Sequence, residues 1–364
     1  MRLLAGSQRA STGHMGIAFD EDGIRMLQVR EHRDGFGVTG AGWIPHVEER
    51  VGNLSDAIRA AFIHGGFTGR RCVVCLPRSE VWTQLSRFPD MPESELSEAA
   101  SWEAAERFGL SRDQMQCDWL PVGNSEGGRQ EVLLVAAPTD RLQPRLEAIL
   151  DAGLRPVAVD TDFGGLARLF SRRYRRDADQ SSARVVLDVG PSGSTLLVLA
   201  GSRTTFCKAL AIGGCHFDAA VAEHLDLEES AARELRWARL EGETSMDATT
   251  DAAVTTATRS VVAELAREAM LCLRHYSVSV RGGRPDYVVL SGCHAGEPGL
   301  AEALRIACRM DVREDDPAGT LQSMSDEIRI QTSGCCGPIG GWASAAGLSC
   351  RGTGQGRSAG RRAA

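Results

Sequence analysis

The sequence predicts a two-lobed α/β fold built on an internal duplication, with a smaller βαβ-like unit inserted into its first half. Three observations lead there. The run MGIAFDEDGIRMLQV from Met15 has two apolar, strand-like arms around an acidic turn that contains glycine, the pattern of a β-hairpin. The run VVLDVGPSGSTLLVL, from Val185 to Leu199, repeats that plan, and the two align with Ala18 on Asp188 and Gly23 on Gly193, an offset of 170 residues at both positions. Each hairpin is followed by alternating helix-like and strand-like runs, and 364 residues are enough for two domains or for one duplicated body with an insertion.

After the first hairpin, residues 53–67 have helical periodicity and residues 71–77 the composition of a strand. A helix is expected from near Pro92, because MPESELSEAASWEAAERFG places proline and acids in its first turn and Gly109 at its end. EVLLVAAP from Glu131 reads as a strand, and RLQPRLEAILDAGLRPVAVD as helix, glycine stop and strand. Past the second hairpin, AIGGCHFDAAVAEHLDL is a glycine turn opening a helix, followed by an acidic, arginine-containing helical stretch through Leu240. Residues 244–256, rich in Ser, Thr, Asp and Ala, are expected to form a loop or linker. SVVAELAREAMLCLRHYSV from Ser260 carries apolar residues at helical spacing, and DYVVLSGCHAGEPGLAEALRIA gives strand, glycine-rich turn and helix. The expected division is a flexible N-terminus at 1–14, a first lobe at 15–180 with the inserted unit at about 78–157, a second lobe at 184–350, and a disordered basic tail at 351–364.

Composition narrows the function classes. The net charge of −7 and the lack of a basic stripe with interleaved aromatics make nucleic acid an unexpected partner. Of eleven cysteines, Cys72 and Cys75 lie in an apolar strand-like run and Cys272 in a helical pattern, which points to buried reduced thiols rather than a disulfide framework. Cys72 and Cys75 have the CxxC spacing, but no second pair follows at zinc-site distance, and Cys335 and Cys336 sit in a glycine-rich turn. No stretch approaches the ~20 apolar residues of a spanning helix, so a cytoplasmic protein is expected. His216 and His294 each follow a glycine-rich turn, but no serine or cysteine motif gives either a nucleophile to activate, and no catalytic residue is expected.

A hairpin that binds phosphate needs small residues at its tip, so that backbone N–H groups reach the anion without side chains intervening. Gly190-Pro191-Ser192-Gly193-Ser194-Thr195 supplies this, and Asp188 stands where a carboxylate could hold Mg2+ through water. The partner hairpin, the Gly213-Gly214 turn and the SGCHAGEPG turn follow in an order that resembles the actin, Hsp70 and sugar-kinase superfamily. Within it, the type IV pilus assembly protein PilM family is the closest resemblance, with FtsA as a more distant cousin. LPRSEVWTQLSRFPDMPESELSEAASWEAAERF and EGGRQEVLLVAAPTDRL with LEAILDAGLRPVAVD resemble PilM's inserted subdomain. VVLDVGPSGSTLLVL, AIGGCHFDAAVAEHL, VAELAREAMLCLRHY and VVLSGCHAGEPGLAEAL continue the similarity in family order, from about Met15 to Leu348.

The resemblance implies a two-lobed actin/Hsp70-like, ribonuclease H-like fold around an ATP and Mg2+ cleft. It places Asp188, Gly190, Ser192, Gly193 and Thr195 in the second phosphate loop, with Asp188 toward the metal. Gly213 and Gly214 would help close the cleft, Glu268 would meet the ribose, and Ser291 and Gly292 would lie beside the adenine. The first hairpin departs from the family, because Ala18, Asp20, Glu21 and Asp22 stand where relatives carry an Asp, a Gly and small hydroxyl residues. Three carboxylates would then face the phosphates, and one such contact at ~4 Å costs around 4 kcal/mol at an effective dielectric of ~20. Only Arg25 would still favour an anion there, and the expectation is a weakened or lost ATP site with little or no hydrolysis. The resemblance further implies an adaptor, peripheral at the inner membrane, that binds the short cytoplasmic tail of an inner-membrane pilus or secretion component near the junction of the first lobe and the inserted unit. An active ATPase that drives assembly, and a self-associating FtsA-like filament former, are the rival readings.

Overall fold

The computed structural model describes residues 12–32, 35–45, 54–122, 128–173, 182–201, 203–241, 247–279, 284–313, 326–331 and 339–352. The expected flexible N-terminus lies outside these up to residue 11, as do Cys335, Cys336 and the basic tail from residue 353.

Strands β1 (Met15–Asp20) and β2 (Gly23–His32) form the first hairpin, extended by the antiparallel β3 (Gly35–Pro45). Helix α1 (Leu54–His64) leads to β4 (Arg71–Cys75), which pairs parallel with β1. Cys72, Val73, Val74 and Cys75 are all buried, the continuous apolar run expected of a strand covered on both faces. The chain then leaves the first lobe. Strand β5 (Trp82–Pro89), helix α2 (Glu93–Phe108), β6 (Met115–Pro121) and β7 (Arg129–Pro138) make a separate sheet in the order β5-β7-β6. Both β5 and β6 run antiparallel to β7, so α2 joins two parallel strands with β7 between them. Leu96, Ala100 and Ala104 repeat every four residues on the buried side of α2 and pack on Phe88, Met115, Val132 and Leu134. Gly109 ends the helix at φ 68°, a left-handed conformation that glycine adopts without steric cost.

Helix α3 (Thr139–Asp151) returns to the first lobe, where Ile149 packs with Ile58 of α1, and β8 (Arg155–Asp160) pairs parallel with β4. The first sheet therefore reads β3-β2-β1-β4-β8. Helix α4 (Asp162–Arg173) follows, and the second lobe repeats the scheme. Its elements are β9 (Ala183–Val189), β10 (Ser194–Ala200), β11 (Arg203–Leu210), α5 (Gly214–Leu225), α6 (Glu229–Glu241), α7 (Ala248–Ser279), β12 (Tyr287–Ser291), α8 (Leu300–Cys308) and β13 (Asp311–Arg313). The order is β11-β10-β9-β12-β13, with the same directions. Ala18 pairs with Arg25 and Asp188 with Thr195, so the 170-residue offset holds on both strands of the hairpin.

The expected linker over residues 244–256 requires correction, because α7 already runs from Ala248. Two physical causes outweigh the weak helix propensity of its threonines. Asp247 Oδ1 accepts the backbone N–H groups of Thr249 and Thr250, both at 3.0 Å, and Val254 and Ala257 bury against Val221, Ala222 and Ala232.

The two sheets face each other across a shared core. Helix α4 and helix α9 (Ala343–Ser349) lie between them, with Phe163, Leu166, Leu169 and Phe170 packed among Val73, Val186, Leu197, Ala345 and Leu348. The two helices cross at Gly165 and Gly347, where a Cβ on Gly347 would fall 1.8 Å from the Gly165 carbonyl oxygen. The two helices between the sheets thus meet backbone to backbone.

Candidate functional site

The cleft is built from the turns that end the central strands. The second hairpin tip closes with Gly190 N–H donating to Gly193 O at 2.9 Å. The turn that opens α5 docks on it, with Gly214 N–H donating to Gly190 O at 2.9 Å and Cys215 N–H to Pro191 O at 2.7 Å. A side chain at Gly213 would meet Gly193 N at 2.3 Å, so this turn must be glycine for the two loops to touch. Ser291 pairs with Asp188 across β12 and β9, and Gly292, at φ 96°, lies against Val189. The structure therefore brings Asp188, Gly190, Ser192, Gly193, Thr195, Gly213, Gly214, Ser291 and Gly292 into one cleft. Glu268 sits on α7, where its carboxylate is bonded to neighbouring Arg267 at 2.9 Å.

Arg78, just past β4, reaches from the first lobe into the second hairpin. Its Nε and Nη2 bond Asp162 Oδ2 at 2.8 and 2.7 Å, Nη2 also bonds Asp188 Oδ2 at 3.0 Å, and Nη1 donates to Gly193 O at 2.8 Å. A Cβ on Gly190 would lie 3.4 Å from Arg78 Nη1, so the small residue at the tip receives this guanidinium. Thr195 Oγ1 donates to Asp162 Oδ2 at 3.3 Å, which ties that carboxylate in place. Burial pushes the Asp188 carboxyl above its ordinary range even against the attraction of Arg78.

At the first hairpin the three carboxylates part: Asp20 and Glu21 line the cleft, whereas Asp22 turns onto Arg25 and does not. Arg25 is fully buried, with its guanidinium bonded to Asp22 at 2.8 and 2.5 Å and to Asp20 at 3.4 Å, and it lies 4.5 Å over the Trp43 ring. Arg25 is therefore engaged within its own hairpin. Glu21 turns the other way, accepting from Ser79 Oγ at 2.8 Å. Burial works against the Glu21 carboxylate, but hydrogen bonds from Asp20, Ser79 and Ser192 outweigh it and hold its pKa at about 2. Asp20 moves the opposite way, well above its ordinary range, because burial and its hydrogen bond to Glu21 favour the protonated form.

Beside the SGCHAGEPG turn, side chains of the second lobe fill the space. Arg236, 1% exposed, bonds Asp218, Glu297 Oε2 at 2.7 Å, the Gly214 carbonyl at 3.2 Å and His294 Nδ1 at 3.3 Å. The His294 ring lies 4.6 Å from Trp237, and a Cβ on Gly214 would touch its Nε2 at 2.1 Å. Burial, followed by the charge of Arg236, lowers the His294 pKa to about 3, so the ring is neutral.

Between the hairpins, among Asp20, Arg78, Asp188 and Gly193, the remaining cavity is about 40 Å3. That is room for a few waters. The backbone donors of Gly190, Gly214 and Cys215, which an anion would need, are bonded within the protein, and Gly213 N–H bonds His216 Nδ1 at 3.2 Å. Among the described residues no group of three or more His, Cys, Asp or Glu side chains is placed to hold a metal ion.

The family model for the type IV pilus assembly protein PilM matches residues 20–350. The chain belongs to the PilM family. The solved structure of a PilM-PilN type IV pilus biogenesis complex superposes on this PilM-family chain with a TM-score of 0.75, at 21% identity, covering 94% of this chain and 99% of the other. The ethanolamine utilization protein EutJ from Carboxydothermus hydrogenoformans follows with a TM-score of 0.53, at 12% identity, over 94% and 90% of the two chains. At these identities the likenesses establish the fold, and the two-lobed actin-like architecture of the PilM family is the architecture found here. No described helix is long and apolar enough to cross a membrane.

Sequence reasoning did not single out Arg78, Arg236 or Trp237. Arg78 meets Asp188 across 110 residues and Arg236 meets Glu297 across 61, and no local pattern joins such pairs. The one signal available for Arg78 was its place in CVVCLPRSE, immediately after a strand whose end opens on the cleft.

Proposed function

We propose that this PilM-family protein is a cytoplasmic scaffold, peripheral at the inner membrane, of a type IV pilus or related secretion machine. It holds the short cytoplasmic tail of an inner-membrane component, and its ATP cleft is weakened or lost. The observation that carries the tail-binding reading is a groove of about 780 Å3 where the first lobe meets the inserted sheet, lined by Glu80, Trp82, Leu110, Pro138 and Arg141 among others. Trp82 is braced by Phe108 with ring centroids 5.4 Å apart, and Glu80 by a bidentate pair with Arg145 at 2.5 and 2.7 Å. Apolar anchors beside the free edges of β5 and β6 are what an extended peptide uses when it adds to a sheet. The PilM-PilN pairing in the solved complex supports the class of partner. For the cleft, the support is the 40 Å3 cavity and the donors already engaged around it.

The test uses a synthetic peptide of the cytoplasmic tail of the organism's own PilN-type protein, titrated into the full chain by calorimetry. Trp82→Ala weakens binding at least tenfold, the equivalent of ~1.4 kcal/mol. Trp102→Ala, on the exposed side of α2 where Arg112 stacks at 4.9 Å, leaves it unchanged. Loss of binding in Trp102→Ala with Trp82→Ala unaffected would move the site to the outer face of α2 and refute the groove.

A further inference from the structure

We infer that Arg78 is an internal replacement for the cation at the centre of this fold's cleft, a latch that ties the first lobe to Asp188 and Gly193 of the second without any ligand. The inference rests on the reading of the cleft as one that does not take nucleotide, and it names the group that stands there instead. Four oxygens converge on the guanidinium: Asp162 Oδ2, Asp188 Oδ2, the Gly193 carbonyl at 2.8 Å and the Asp188 carbonyl at 3.4 Å. Two carboxylates and two carbonyls around one positive centre form the oxygen set of a hard divalent cation. Here the charge comes from the chain, on a side chain 15% exposed between carboxylates 13% and 10% exposed. Asp162 opens α4 and Asp188 lies next to the end of β9, so the same guanidinium holds the start of α4 against the second sheet. The closing contact made elsewhere by an exchangeable ligand would in this protein be permanent, as suits a scaffold that presents one fixed surface.

If a guanidinium replaces a cation, removing it should create a site for one. Arg78→Ala leaves Asp162 and Asp188 unpaired in one space, and its thermal unfolding midpoint falls by about 5 °C or more. Millimolar Mg2+, compared with NaCl at equal ionic strength, restores at least about half of that loss, because an oxygen-lined site accepts it. Wild type does not respond to Mg2+, with or without ATP, and Asp188→Asn added to Arg78→Ala abolishes the recovery. Arg78→Gln, which keeps length and N–H donors, carries the same test if the alanine variant does not fold. A variant that melts like wild type, shows no Mg2+ recovery, or recovers equally with Asp188→Asn overturns the latch alone. A Mg2+- or Mg-ATP-dependent rise already present in wild type overturns both the latch and the cleft reading beneath it.

Discussion

Replacing Arg236 with methionine tests whether the second lobe's ligand side is held by a buried charge network. The substitution nearly conserves volume, so its cost comes from electrostatics rather than from a cavity. It leaves Asp218 and Glu297 facing the space of the lost guanidinium, and Glu297 Oε1 already has no hydrogen-bond partner among the described residues. Breaking such a buried pair costs ~3–5 kcal/mol, which at a urea slope of ~3 kcal/mol/M lowers the unfolding midpoint by roughly 1 to 1.7 M. A pH signature separates charge from packing. Burial already raises the Asp218 pKa against the attraction of Arg236, and without Arg236 it rises further. A carboxyl with a raised folded pKa binds more protons folded than unfolded, so its contribution is lost as pH rises. The penalty of Arg236→Met is therefore largest at neutral pH and shrinks as pH falls toward ~4, by up to about 1.4 kcal/mol per pH unit. Adding Glu297→Gln recovers part of it. A midpoint shift that is the same at every pH, and is not relieved by Glu297→Gln, would refute the charge account.

Two further outcomes follow from the same coordinates. Gly347→Ala puts a methyl 1.8 Å from the Gly165 carbonyl, where only backbone can give way, and costs at least about 3 kcal/mol by denaturant unfolding. Gly296→Ala, with its closest neighbour at 3.8 Å, stays within about 0.5 kcal/mol, and equal effects of the two would remove the close helix crossing from the account of the shared core. His294 is neutral in the folded protein down to about pH 3 but takes a proton from 6.5 in the unfolded chain. Stability therefore falls as pH drops through that window, by about 1.7 kcal/mol between pH 6.5 and 5, and His294→Gln flattens the fall. An unchanged slope in that variant would place the titration elsewhere.

Much of the architecture was legible because its signals are local. The hairpins at Met15 and Val185 each carry their turn between their own two strands, so the duplication shows as a repeat in the sequence. The Pro92 start and Gly109 stop of α2 are set by backbone chemistry at single positions. Residues 248–256 resisted for the opposite reason, since threonine-rich sequence is weakly helical alone and becomes helix through Val254 and Ala257 packing on α5 and α6.

By itself the sequence determined the fold, the glycine turns of the cleft and the family, because backbone geometry at those turns admits few residue types. It also showed an acidic tip on the first hairpin, but charge count carries no direction. Only the tertiary structure decided that Asp20 and Asp22 turn onto Arg25, that Arg78 crosses to Asp162 and Asp188, and that Arg236 meets His294 inside the second lobe. Each of those pairings depends on which distant side chain the closed core delivers to within ~3 Å, since at that range a single ion pair outweighs local preference.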